Sequence, residues 1–208
     1  MGRAFQIGHF KIGHLNVRLI YVIGPSGAGK DSLLNSLRQD MAAMTDTATP
    51  PPLYFAKRTI TRSHDQSNED HEVVDPSHFE SLVNSDAFAM HWFANGLHYG
   101  IRHQELAPMS ESTWVMVNGS RAYLEEAKQR FPGLTVLFIT APIEVLRARL
   151  LSRGRENEQA IEVRLNRSQE VVLEPQDLCL SNGGSLADSV ITLKNLLQQR
   201  TGIPFVNI

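Results

Sequence analysis

The chain has a single cysteine, Cys179, among 208 residues, so no internal disulfide can staple it, and no Cys/His spacing matches a structural zinc site. Net charge is also scarce: 20 Lys and Arg against 22 Asp and Glu leave −2, without the bulk positive charge that marks a nucleic-acid or anionic-membrane partner. No apolar run approaches the roughly 20 residues a membrane helix needs. The opening stretch "MGRAFQIGHFKIGHLNV" lacks the continuous apolar centre of a signal peptide. The expectation is a cytoplasmic protein with no nucleic-acid or membrane partner. Eight histidines are present, but His91, His98 and His103 are irregularly placed and form no metal pattern. Trp92 and Trp114 read as core rather than as platforms for a base.

What is present suffices for one ordinary domain: 42% of the residues are hydrophobic, enough for a single sizeable core. Residues 1–16 read as a leader, about 17–200 as the domain, and 201–208 as a tail. "VRLIYVIG" is a buried strand ending at a glycine, and "KDSLLNSLRQDMAAM" spaces Leu33, Leu34, Leu37 and Met41 as a helix. After the turn-rich "TDTATPPP", "LYFAKRT" predicts a second strand, and Pro76 after Asp75 starts a short helix. "FAMHWFANGLHYGI" holds two apolar runs about Asn-Gly, a hairpin signal. Strand and helix then alternate through "STWVMVN", "GSRAYLEEAKQRF", "LTVLFITA" and "PIEVLRARLLSRG", followed by a charged-faced helix, a short edge strand "DLCLSN" and a closing helix. Such alternation predicts an α/β fold with a parallel sheet flanked by helices, and an inserted cap over about 57–101.

The strongest motif is "GPSGAGKDS". Gly24, Gly29 and Lys30 satisfy G-x-x-x-x-G-K between a strand and a helix, and Pro25, Ser26, Gly27 and Ala28 complete a small-residue loop. Backbone amides and the helix dipole would hold phosphates, with Lys30 adding a point charge. Position 31 is Asp31 where a hydroxyl is usual, and the core strands "WVMVN" and "LFIT" carry no acid. Asp31 therefore supplies a carboxylate for magnesium, directly or through water, with Ser32 giving the hydroxyl. The plainer reading is an acid that stabilises the first helical turn. The two are compatible.

Taken in order, "GPSGAGK", "KRTITR", "NEDHEVVDPSHFE", "NGLHYG" and "RLLSRGRENEQAIEVRL" resemble the guanylate kinase superfamily of P-loop kinases over residues 17–200. The resemblance implies ATP and magnesium as cofactors. Arg58 and Arg62, four apart about a strand end, can both clamp an anion, Lys57 assisting, and the resemblance places Tyr99 at a phosphate contact. It also implies an arginine lid over about 153–160, hinged at Gly154, with Arg153 and, in the helix that follows, Arg164 acting in catalysis and Arg155 on the nucleotide. Arg149 and Arg167 read as helix-surface arginines paired with nearby glutamates.

The chain departs from guanylate kinases where a guanine is read: Met116 stands where the family's strand aspartate belongs, and Glu69 is a partial match to the acidic guanine contact. "GKDS", "VNGSR" and "ANGLHYG" resemble a narrower group, the ribose 1,5-bisphosphate phosphokinases of phosphonate degradation. That resemblance implies transfer from ATP to the 1-phosphate of ribose 1,5-bisphosphate, a phosphorylated sugar, by a monomer or homodimer. Arg102 or Arg121 would meet the second phosphate, and His98 would be a further substrate contact. Guanylate kinase and a non-catalytic kinase-like binding module are the alternatives.

Overall fold

The computed structural model describes residues 5–7, 10–12, 17–44, 51–62, 71–111, 113–154, 158–166 and 171–205. Within the leader, β1 (Phe5–Ile7) and β2 (Phe10–Ile12) pair as an antiparallel hairpin. There follow β3 (Leu19–Ile23), α1 (Lys30–Met44), β4 (Leu53–Phe55), β5 (Arg58–Ile60), β6 (His71–Val73) and α2 (Pro76–Asn84). Next come β7 (Phe88–Ala94), β8 (Leu97–Arg102), α3 (His103–Leu106), β9 (Trp114–Asn118), α4 (Leu124–Arg130) and β10 (Thr135–Thr140). The chain closes with α5 (Ile143–Arg153), α6 (Glu158–Asn166), β11 (Leu178–Ser181) and α7 (Leu186–Thr201).

Five strands form the larger sheet in the order β11-β10-β3-β9-β4, with β10 parallel to β11 and β4 parallel to β9. All five residues of β3 are buried, as expected of a parallel sheet flanked by helices. The fold class expected from alternating strands and helices is therefore present. A second, four-stranded sheet, β6-β5-β8-β7, occupies the segment read as a cap. Two compact units result, residues 1–20 with 51–134, and residues 21–50 with 135–208.

In the second unit α1 turns Leu33, Leu34, Leu37 and Met41 into the core at helical spacing. The buried Lys194 of α7 meets Asp40 of α1 at 2.6 Å, which keeps a desolvated ammonium paired. In the first unit Asp75 caps α2 by accepting from the His78 amide at 2.8 Å, and Pro76 sits at the first turn, where no amide donor is needed. The β7–β8 turn is Asn95-Gly96, both at positive φ (50° and 78°), as a two-residue hairpin of this twist requires.

The sequence reading did not expect β6, α3 or the leader hairpin, and two further elements differ from it. "LYFAKRT" is two strands in two sheets: β4 pairs with β9, whereas β5 pairs with β6 and β8. The break falls at Lys57, whose amide donates to the Glu105 carboxylate at 2.7 Å instead of to a strand. "GSRAYLEEAKQRF" begins as a 3-10 turn over Arg121–Tyr123 and becomes α-helical only at Leu124.

Candidate active site

The glycine loop follows the central strand of the larger sheet and delivers its last residue to the first turn of α1. Gly24 is required by close approach, because a Cβ there would collide with the main-chain oxygen of Ile139 in β10. Lys30 Nζ lies back over the loop, donating to the carbonyls of Gly24 (2.8 Å) and Pro25 (3.2 Å). Ala28 N–H donates to Pro25 O at 3.3 Å, and Leu33 N–H to Gly29 O at 3.0 Å as the helix begins. Asp31 and Ser32 are both exposed in that first turn. Their oxygens suit a hard cation, which in such sites is completed by phosphate oxygens and water. Among the described residues no group of three or more His, Cys, Asp or Glu is placed to hold a metal by itself.

Two residues not assigned to the loop from sequence hold it. Arg149 of α5 donates through Nη1 to Gly27 O at 3.2 Å, so it is not the surface arginine expected; Glu162 instead takes a two-pronged contact from Arg147, at 2.7 and 3.0 Å. Arg149 lies two residues from the outward Arg147, a separation of about 200° on a helix, and that phase was the available signal. The other is Asn182, just past β11. Its amide N–H donates to Thr140 O at 2.7 Å, and its side-chain Nδ2 donates to Ala28 O at 2.8 Å. A strand-terminal asparagine at the carboxyl edge of a parallel sheet was the signal there.

The smaller sheet gathers the candidate acceptor groups, and its pleat sorts them. Ile60 faces Tyr99, and Tyr99 faces Trp92, so Arg58, Tyr99 and Trp92 share one face. On it the Arg58 guanidinium lies 5.2 Å from the Tyr99 ring centroid, Tyr99 stacks on Trp92 at 5.7 Å with a 7° interplanar angle, and Trp92 meets Tyr123 at 5.6 Å. A cation on an aromatic face is held there by the ring quadrupole. Burial, the largest influence, pushes the Tyr123 phenol up to about 12, so this end of the column stays neutral.

Thr59, Glu72, His98 and Arg102 lie on the opposite face. There Arg102 grips Glu72 through Nε and Nη2, at 2.8 and 2.6 Å, and Thr59 Oγ1 donates to the same carboxylate at 2.7 Å. Burial raises the Glu72 pKa, but the hydrogen bonds from Thr59 and Arg102 outweigh it and hold the carboxyl below its ordinary value. The His98 ring sits between Phe79 (5.3 Å) and Phe93 (4.9 Å). Arg102 and His98 are thus separated from Arg58 and Tyr99 by the thickness of the sheet, and the Arg102 fork is already filled by a carboxylate.

Arg62 is half-buried two residues past β5. Arg121 is half-buried after β9, and burial lowers its pKa. Glu105 was missed from sequence: one carboxylate oxygen accepts from both Tyr54 Oη (2.8 Å) and Lys57 N (2.7 Å), fixing the point from which Arg58 departs. Arg153 is exposed in the last turn of α5, before Gly154 caps the helix at φ 59°. Arg164 belongs to α6, but its side chain, like Glu69, Arg155 and Arg167, lies outside the described residues. Met116 is fully buried in β9.

A glycine loop ending in lysine, set between the central strand of a parallel sheet and a helix, with a separate small sheet presenting a stacked arginine, defines a P-loop kinase of guanylate kinase-like fold. The crystal structure of guanylate kinase from Anaplasma phagocytophilum matches that fold with a TM-score of 0.55 at 15% identity, covering 89% of this chain and 87% of that one. No family model matches the chain. Curated relatives are much nearer in sequence: the ribose 1,5-bisphosphate phosphokinase PhnN of Pseudomonas paraeruginosa is 44% identical over 85% of this chain and 92% of its own. That of Azotobacter vinelandii is 41% identical over 88% and 97%. The chain belongs to the ribose 1,5-bisphosphate phosphokinase family and is a kinase.

Proposed function

We propose that the protein transfers the γ-phosphoryl group of ATP to the 1-phosphate of ribose 1,5-bisphosphate, giving 5-phospho-α-D-ribose 1-diphosphate and ADP in phosphonate breakdown. The observation that carries this is the 44% identity to a relative of that name across nearly the whole of both chains. The buried Met116 accords with it, since a thioether offers no acid to a nucleobase edge.

The chemistry asks little covalent work of the protein. An acceptor phosphate is already ionised, so no general base is needed. The loop amides and Lys30 hold the outer phosphates of the donor, and Arg58, presented on Tyr99, holds an acceptor phosphate with Arg62. Arg153 and Arg164, with Arg155, neutralise charge that develops as the group moves. Arg121 is the better candidate for the second phosphate, because its turn meets the Arg58 face through Tyr123 and Trp92, whereas Arg102 lies on the opposite face against Glu72. Magnesium, when bound, neutralises the donor phosphates; Asp31 and Ser32 would hold it. A cytoplasmic location is part of the same reading, supported by the use of ATP and by a sequence with a single cysteine, Cys179; no helix among the described residues is long and apolar enough to cross a membrane.

The test is a coupled assay of purified protein with ATP and magnesium, offering ribose 1,5-bisphosphate or GMP and recording both ADP release and product. Formation of the ribosyl diphosphate is expected. Preference for GMP would make the protein a guanylate kinase, and ATP binding without turnover of either would make it a binding module; both outcomes overturn the proposal.

A further inference from the structure

Asn182 is 3% exposed, and its two side-chain groups have unequal fates: Nδ2 donates to Ala28 O at 2.8 Å, while Oδ1 is buried with no hydrogen-bond partner. A buried amide satisfied on one side only is a poor device for stability alone. Its contact with the loop is more telling. The peptide joining Ala28 to Gly29 is planar and trans, so its C=O and N–H point in opposite directions. With the Ala28 carbonyl tied to Asn182, the Gly29 N–H must face the other side of the loop. Gly29 sits at φ 81°, and glycine passes between positive and negative φ at little cost, so without a restraint this peptide is free to flip. A flipped peptide would turn a carbonyl oxygen, rather than an amide, toward an anion.

We infer that Asn182 is a positioning residue that locks the Ala28–Gly29 peptide in its phosphate-accepting orientation. Gly29 and Asn182 are fitted to each other: a Cβ at Gly29 would lie 2.5 Å from Asn182 Nδ2. Arg149 supplies the matching restraint one peptide earlier, at Gly27 O. The inference rests on the reading that this loop binds the donor triphosphate, and it concerns neither the base nor the acceptor.

Direct binding separates these possibilities without the second substrate. Affinity for magnesium-ATP and for inorganic tripolyphosphate, which has no base, is measured by calorimetry on wild type, Asn182→Ala and Asn182→Asp. Loss of the buried donor is expected to weaken both ligands to the same extent, by about tenfold to a hundredfold. In Asn182→Asp the aspartyl pKa is raised by burial, so its protonated form can donate to Ala28 O. Its loss, relative to wild type at each pH, should therefore shrink from pH 8 to pH 6, whereas that of Asn182→Ala should not. A change in ATP affinity without one in tripolyphosphate affinity would mean that Asn182 reads the nucleoside, and the inference fails. It fails equally if both variants bind within twofold of wild type, if the two share one pH profile, or if neither retains the wild-type melting transition. Failure of wild type itself to bind either ligand would refute the donor-site reading instead.

Discussion

In the proposed reaction the loop after β3 and the face of the small sheet that carries Arg58 would both present cationic or donor groups to an anion, but they are built from different material. In the loop the working groups are main-chain amides of consecutive residues, and distant side chains, Asn182 and Arg149, only hold them. On the sheet the working groups are side chains from separate strands, β5 and β8, backed by Trp92 from β7 and Tyr123 from the 3-10 turn after β9. A main-chain cradle tolerates little beyond glycine and small residues, so its sequence is constrained at every position. A side-chain clamp is constrained only through register, and a shift of one residue sends an arginine to the wrong face.

That contrast breaks first at Lys30. Lys30→Ala should lower kcat by on the order of 10³-fold while the melting temperature stays near wild type, because the ammonium acts on transferring charge rather than on the core. Retained turnover would remove the loop lysine from the mechanism. Arg58→Ala should lower kcat/KM for the acceptor by about 10²-fold with ATP affinity unchanged. Arg102→Ala, on the opposite face, should change the acceptor KM by less than about threefold. If Arg102→Ala proved the more damaging of the two in steady-state kinetics, the division of the sheet into a working and a structural face would be wrong.

Gly29→Ala sharpens the donor side. It places a methyl group against Asn182 at φ 81° and should destabilise the fold by about 1–3 kcal/mol in denaturant titration. The smallest effect is expected from Glu72→Gln. The Glu72 carboxyl is held below its unfolded pKa, so its pairing contributes stability above the ordinary carboxylate range and loses it as pH falls through the lowered folded value. Because the side chain is 38% exposed, that contribution is below about 1 kcal/mol. Unfolding midpoints measured from pH 6 down to pH 3 should fall less steeply for the variant than for wild type.

How far the sequence was legible follows the same division. The loop, α1, the Asp75–Pro76 helix start and the Asn95-Gly96 hairpin each rest on neighbours within a few residues, and each is where the pattern put it. "LYFAKRT" was misread because nothing local marks a strand changing sheets; the cause is Glu105, 48 residues away, taking the Lys57 amide. His98 and Tyr99 could have been separated at once, since adjacent residues of a strand face opposite ways. Arg102 could not, because only the pairing of β5 with β6 brings Glu72 to it.

The order of strands and helices, the phosphate loop and the kinase family were thus fixed by the amino-acid order, because short-range spacing and main-chain geometry determine them. Which face each sheet arginine takes, which is spent on a carboxylate, and which remote side chains brace the loop were decided by strand order and register. Those bring together groups up to 154 residues apart, and no local pattern encodes such a meeting.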